Sequence, residues 1–183
     1  MEEDDLFIED IVTQKKETKK VNGKNKGKRV ELALCKLLTK HFEKDFTRTV
    51  GSGNRWSQAN LSETAKQVFS GDICVPEGFK WVLECKGGYE KDMLFSNVWE
   101  GIPKLEEFIK QVMHDSEYCG RLPVIMWKRN RKPWIVAIRK KDVKGFDIKK
   151  WSQYVIYKDW LIGDLQIMLD NTKNDFWFEE KDA

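Results

Sequence analysis

Two short segments constrain this chain more than any other feature: Gly71-Asp72-Ile73-Cys74-Val75 and Trp81-Val82-Leu83-Glu84-Cys85-Lys86. Each has the apolar, β-branched content of a strand, and Pro76-Glu77-Gly78 between them reads as a turn. Side chains alternate along a strand, so Glu84 and Lys86 share one face while Trp81, Leu83 and Cys85 take the other. A hairpin centred on Gly78 sets Asp72 opposite Glu84. Two carboxylates that close repel each other unless something positive lies between them. A divalent ion held by oxygen, with a lysine beside it, removes the repulsion. Such a group suits metal-dependent cleavage of a phosphodiester.

The flanking sequence supplies a third acid. Val30, Leu34, Leu37, Leu38, His41 and Phe42 recur at helical spacing, which predicts a helix over 26–44 with His41 in its core-facing arc. Glu31 falls within that arc on the helical wheel. It either complements the positive end of the helix dipole from an early turn or turns inward to join the strand acids. The pattern then gives a strand at 46–50, a polar loop at 51–70 with a short helix at 63–68, and the two segments above. A second helix is expected at 103–117, with Leu105, Phe108, Ile109, Val112 and Met113 as its apolar stripe. Strands at 122–127 and 134–139 follow, joined by a basic turn. A short strand at 154–157 and a helix at 164–169 close the chain. Strands interleaved with helices in this order predict a mixed sheet flanked by helices.

Charge is distributed unevenly although the net value is only +3. Residues 2–10 hold six acids and no base, and residues 15–29 hold eight bases and one acid. Such blocks are solvated and mobile, so residues 1–23 read as a flexible arm and 24–183 as one domain, with a core over 27–139 and a C-terminal extension over 140–183. Lys26, Lys28 and Arg29 in the basic block are candidate phosphate contacts, with a salt-sensitive contribution. Arg48 belongs with them, as do Arg55 and Trp56 in the polar loop, the latter a candidate for stacking on bases. Lys128, Arg129 and Arg131 in the basic turn complete the set; a merely solvated turn is the alternative. The four cysteines show no zinc-ligand spacing, and the two histidines, His41 and His114, exclude a histidine-rich metal site. No apolar run has the length of a membrane span, and a reduced cytosolic setting is expected. Gln111 on the second helix is either a plain solvated residue or one that faces the acids.

Glu31 on a helix, then Gly71-Asp72, then Glu84-Cys85-Lys86 resemble the motif of the PD-(D/E)XK nuclease superfamily. Within it, Arg48-Thr49-Val50-Gly51-Ser52-Gly53 is similar to the Arg…Ser-Gly segment of archaeal-type Holliday-junction resolvases. The likeness covers roughly 27–139 and departs from the usual motif at Gly71, where a proline normally precedes the aspartate. It implies a restriction-endonuclease-like α/β (α+β) fold with a mixed central sheet. It implies that Asp72, Glu84 and the Cys85 backbone carbonyl ligate Mg²⁺ or Mn²⁺, and that Glu31 holds the metal directly or through water. Lys86 then orients or deprotonates the attacking water, and Ser52 contacts the scissile strand. The implied activity is endonucleolytic cleavage of branched DNA, in particular resolution of a four-way junction, leaving a 5′-phosphate and a 3′-hydroxyl. Two symmetric cuts call for a homodimer, for which Trp99 and Trp151 are candidate interface residues. The implied setting is the cytoplasm of a prokaryotic cell or a virus-infected host. A restriction-like or repair endonuclease acting on duplex or flap DNA is the alternative within enzymes, and a non-catalytic nucleic-acid-binding protein is the alternative outside them.

Overall fold

The structure is a computed structural model that describes residues 23–49, 70–89, 91–93 and 98–179. The N-terminal arm, the loop that carries Ser52, Arg55 and Trp56, and the helix expected at 63–68 lie outside the described residues. The chain folds as α1 (Gly23–Phe42), β1 (Thr47–Arg48), β2 (Ile73–Cys74), β3 (Trp81–Gly87) and α2 (Pro103–Cys119). It continues with β4 (Leu122–Lys128), β5 (Trp134–Arg139), β6 (Val155–Tyr157), β7 (Trp160–Asp164), α3 (Leu165–Asp170) and α4 (Asn174–Trp177).

Five strands form one sheet in the order β3-β4-β5-β7-β6. The β3–β4 pair is parallel and the others are antiparallel. This is the mixed sheet flanked by helices that the sequence predicts. A parallel pair needs a crossover, and α2 provides it. Pro103 suits the first turn of α2, where its missing N–H costs nothing, and Gly120 ends it at φ 72 with its N–H on the Ser116 carbonyl. Alternation along β3 divides the core. Trp81, Leu83 and Cys85 pack with Leu34 and Leu38 of α1. Val82 packs on the opposite face with Leu105, Phe108 and Val112 of α2.

The segment after Arg139 completes the sheet with β6 and β7. Asp164 caps α3 by accepting from the Ile167 N–H at 3.0 Å, the side-chain cap expected at such an N-terminus. Trp177 stacks on Phe79 at 6.1 Å, and Phe176 on Trp81 at 5.2 Å. The Lys80 N–H donates to the Trp177 carbonyl at 2.9 Å, which locks the chain end to the entry of β3.

Three local expectations are corrected. β2 pairs with β1, with Thr47 opposite Cys74, and does not form a hairpin ladder with β3. His41 is exposed, and Phe42 fills the core position, against Phe46, Phe79, Trp177 and Phe178. His41 lies in the last helical turn, where an imidazole can meet the unpaired carbonyls of the helix end. Trp151 is buried, with its indole N–H on the Asp164 carbonyl at 2.8 Å. It lies flat over Gly163, where any Cβ would collide with the ring, so it is not available to an interface. Trp99, by contrast, is 96% exposed.

Candidate active site

β3 is an edge of the five-stranded sheet, and Asp72 docks on that edge. Its backbone N–H donates to the Leu83 carbonyl at 2.9 Å, and its Oδ2 accepts from the Cys85 N–H at 2.8 Å. These contacts bracket Glu84, so Asp72 stands beside it although the two segments form no ladder. The Thr49 N–H donates to the Asp72 carbonyl at 3.0 Å and ties β1 into the same assembly. Gly71 permits the approach. Its φ is +79, and a Cβ there would lie 2.8 Å from the Leu83 carbonyl oxygen and 2.9 Å from Val82 Cγ2. Proline fixes φ near −65°, so this backbone path excludes the proline usual at that position.

Glu84 is fully buried. The Lys86 ammonium pairs with its Oε1, and its Oε2 is buried without a hydrogen bond. Lys86 also donates to Gln111 Oε1 at 3.3 Å and lies 5.0 Å above the Phe108 ring. Gln111 is therefore a half-buried residue turned to the lysine, not a solvated one.

Electrostatics follow from this burial. Loss of hydration pushes the Glu84 carboxyl up to about 8; Asp72 raises it further, and Lys86 pulls the other way. Burial likewise pushes Asp72 up to about 6, against the opposing pull of Lys86 and the Cys85 N–H. Burial disfavours the Lys86 cation, but attraction to Glu84 and Asp72 outweighs it and the ammonium is held above its ordinary value. Asp115 adds negative field at both carboxyls. The sequence reading missed Asp115. The available signal was its position one turn after Gln111 on α2, which places both on one side of the helix.

Glu31 is paired with Arg48. It sits eight residues into α1, because the helix begins at Gly23 and not at 26, so it is too far in to complement the helix N-terminus. Its charge acts on Asp72 and Cys85. Lys28 and Arg29 are exposed on α1, with Lys26 half-buried. In the basic turn Arg129 lies over the Trp127 ring at 5.4 Å, Lys128 donates to the Lys132 carbonyl at 2.6 Å, and Arg131 is exposed at the tip.

Among the described residues, no three His, Cys, Asp or Glu side chains are grouped as they are around a bound ion. The donor set nevertheless fits a hard divalent cation. It offers carboxylate oxygens, among them Glu84 Oε2, buried without a hydrogen bond, and leaving such an atom unsatisfied costs free energy that coordination recovers.

The chain matches the family described as "Phage putative PDDEXK endonuclease" over residues 22–179, and it belongs to that family. Nucleases of this type generally depend on a divalent metal. Protein D14 of Escherichia phage T5 is 27% identical over 154 residues, covering 81% of this chain and 88% of that protein. The solved Hjc of Archaeoglobus fulgidus, a Holliday junction resolvase, is 16% identical, with a TM-score of 0.38 over 81% of this chain and 99% of that one. No described helix is long and apolar enough to cross a membrane.

Proposed function

We propose that this chain is a divalent-cation-dependent endodeoxyribonuclease that cuts branched DNA, with the four-way junction as its substrate and a homodimer as its working form. The observation that carries this reading is the Asp72–Glu84–Lys86 cluster: two buried carboxyls of raised pKa, one paired with the Lys86 ammonium and the other acting on it through charge, at a sheet edge, in a chain that belongs to an endonuclease family. Asp72, Glu84 and the Cys85 carbonyl hold the cation, with Glu31 as a further ligand; Mg²⁺ is the ion proposed and Mn²⁺ its substitute. When bound, the cation polarises a phosphate oxygen and lowers the pKa of water. Lys86, aimed by Gln111 and Phe108, orients the attacking water and stabilises negative charge on the phosphoryl oxygens. Asp72 holds the Cys85 backbone in place from the strand edge. Lys26, Lys28, Arg29, Arg48, Lys128, Arg129 and Arg131 position the DNA backbone, together with Arg55, Trp56 and Ser52 of the polar loop.

The junction assignment draws on the likeness of Arg48–Gly53 to the resolvase segment. The dimer follows from the symmetry of two cuts, and Trp99 is its proposed interface residue. The test is Mg²⁺-dependent cleavage of a four-way junction against a linear duplex of the same arms, with Asp72→Asn as control. The expected result is paired nicks in the junction, little cutting of the duplex, and none by the variant. Equal cutting by Asp72→Asn overturns the site. Equal cutting of duplex and junction overturns the substrate and favours the restriction-like alternative.

A further inference from the structure

The face of the sheet that carries Glu84 and Lys86 continues past the cluster. In register with Lys86 across the sheet are Trp127, then Ile135, then Asp164. α2 covers the nearer part of this face. Beyond it a cavity of about 250 Å³ opens, with Arg129, Ile135, Tyr154, Val155, Ile162 and Asp164 among its lining residues. Three strand spacings of ~4.8 Å place it on the order of 14 Å from Lys86.

Arg129 stands between the two. It lies two residues beyond Trp127 on the same side of the strand, with its guanidinium 5.4 Å from that ring. Its Nε is buried without an acceptor, so the cation is fixed by packing and not by an ion pair at that atom. Tyr154 is 42% exposed at the rim, held beside Trp151 at 6.3 Å. Ile135, Val155 and Ile162 give an apolar floor. Asp164 offers an acceptor, one of its oxygens already serving the Ile167 N–H.

We propose that this cavity is a nucleotide subsite. It takes one unstacked nucleotide of the strand that runs through the Lys86 site, with the base against Tyr154 and the apolar floor and the flanking phosphate toward Arg129. This rests on the nuclease reading above and deepens it. A strand leaving the scissile phosphate along this face reaches the Arg129 cation first and the aromatic rim next, the pairing of charge and ring that single-stranded nucleic acid uses. An unstacked nucleotide is available at a branch point and costly to extract from a continuous duplex, so the subsite favours branched DNA. At ~3.4 Å of rise per nucleotide, 14 Å corresponds to roughly four nucleotides from the cut.

The experiment walks a single abasic position along a junction arm from two to six nucleotides on each side of the cut. Affinity of the full chain is measured in EDTA, so that no turnover intervenes. One position is expected to lose roughly tenfold in affinity, the low end of what a lost base–aromatic stack costs. Tyr154→Ala should show the same loss on intact DNA and no further loss at that position, and Tyr154→Phe should behave as wild type. Uniform affinity across all abasic positions, or wild-type binding by Tyr154→Ala, overturns the subsite. If the wild-type chain cuts DNA in Mg²⁺ while those results are obtained, the subsite alone has failed. If it cuts no DNA at all, the nuclease reading has failed and the subsite with it.

Discussion

Replacing Glu84 by glutamine should stabilise this protein in the absence of a divalent cation, by an amount that grows with pH. Glu84 has an ordinary pKa of 4.5 and is pushed up to about 8 in the fold. Between those values the folded state retains a proton that the unfolded chain releases, so stability contributed by this group is full below pH 4.5 and is lost as pH rises toward 8. At pH 7 the chain is two and a half pH units above 4.5, and at about 1.36 kcal/mol per unit the cost is on the order of 3 kcal/mol. Glutamine keeps the shape and does not ionise. Lys86 loses one anionic neighbour but keeps Asp72, which offsets part of the gain. Asp72, pushed up to about 6 by burial, is kept in both proteins. The assay is urea unfolding of wild type and Glu84→Gln at pH 5 and pH 8 in EDTA, then with Mn²⁺. The variant should exceed wild type at pH 8 by about 1–3 kcal/mol and differ from it by less than about 1 kcal/mol at pH 5. Mn²⁺ should stabilise wild type by mass action and leave the variant unmoved. Parallel pH profiles would mean that burial does not hold Glu84 protonated, and equal stabilisation of both proteins by Mn²⁺ would mean that Glu84 is not a ligand.

Other substitutions test separate parts of the arrangement. Lys86→Met should lower the cleavage rate by roughly 10²- to 10³-fold, the range for losing one preorganised charge-stabilising group, while junction affinity in EDTA changes little. Gly71→Ala places a Cβ 2.8 Å from the Leu83 carbonyl at φ +79 and should destabilise by about 1–3 kcal/mol, read as an earlier unfolding midpoint with an unchanged denaturant slope. Gly163→Ala drives a methyl into the Trp151 ring and should cost about 1–3 kcal/mol or more, with a change in indole fluorescence that Gly71→Ala does not produce.

The sequence carried the central strand and its chemistry legibly because alternation is a local property. Trp81, Leu83 and Cys85 against Glu84 and Lys86 requires only a two-residue period, and β3 obeys it. The α2 stripe and its Pro103 start were legible for the same reason. β7 was missed because Gly163 and Asp164 interrupt its apolar run, and each has a tertiary cause: Trp151 packs on the first and α3 is capped by the second. The partner of β2 was misread because hairpin logic uses sequence proximity. The contact of Asp72 with β3 instead uses a side-chain oxygen in place of a ladder carbonyl, which no periodicity encodes. His41 and Trp151 fell to the same limit: a helical wheel or a count of aromatics gives no account of what lies across from a residue. Asp115 and the orientation of Gln111 became visible only once α2 was placed against β3.

The most direct measurement is calorimetric titration of Mn²⁺ into the full chain near pH 7, repeated in buffers of different ionisation enthalpy, for wild type and Asp72→Asn. Glu84, held up to about 8 by burial, is protonated at that pH, and coordination requires the carboxylate. Wild type should bind the ion with release of close to one proton, and Asp72→Asn should bind far more weakly. An absence of binding at millimolar Mn²⁺, or binding without proton release that Asp72→Asn leaves unchanged, would contradict a cation held by Asp72 and Glu84.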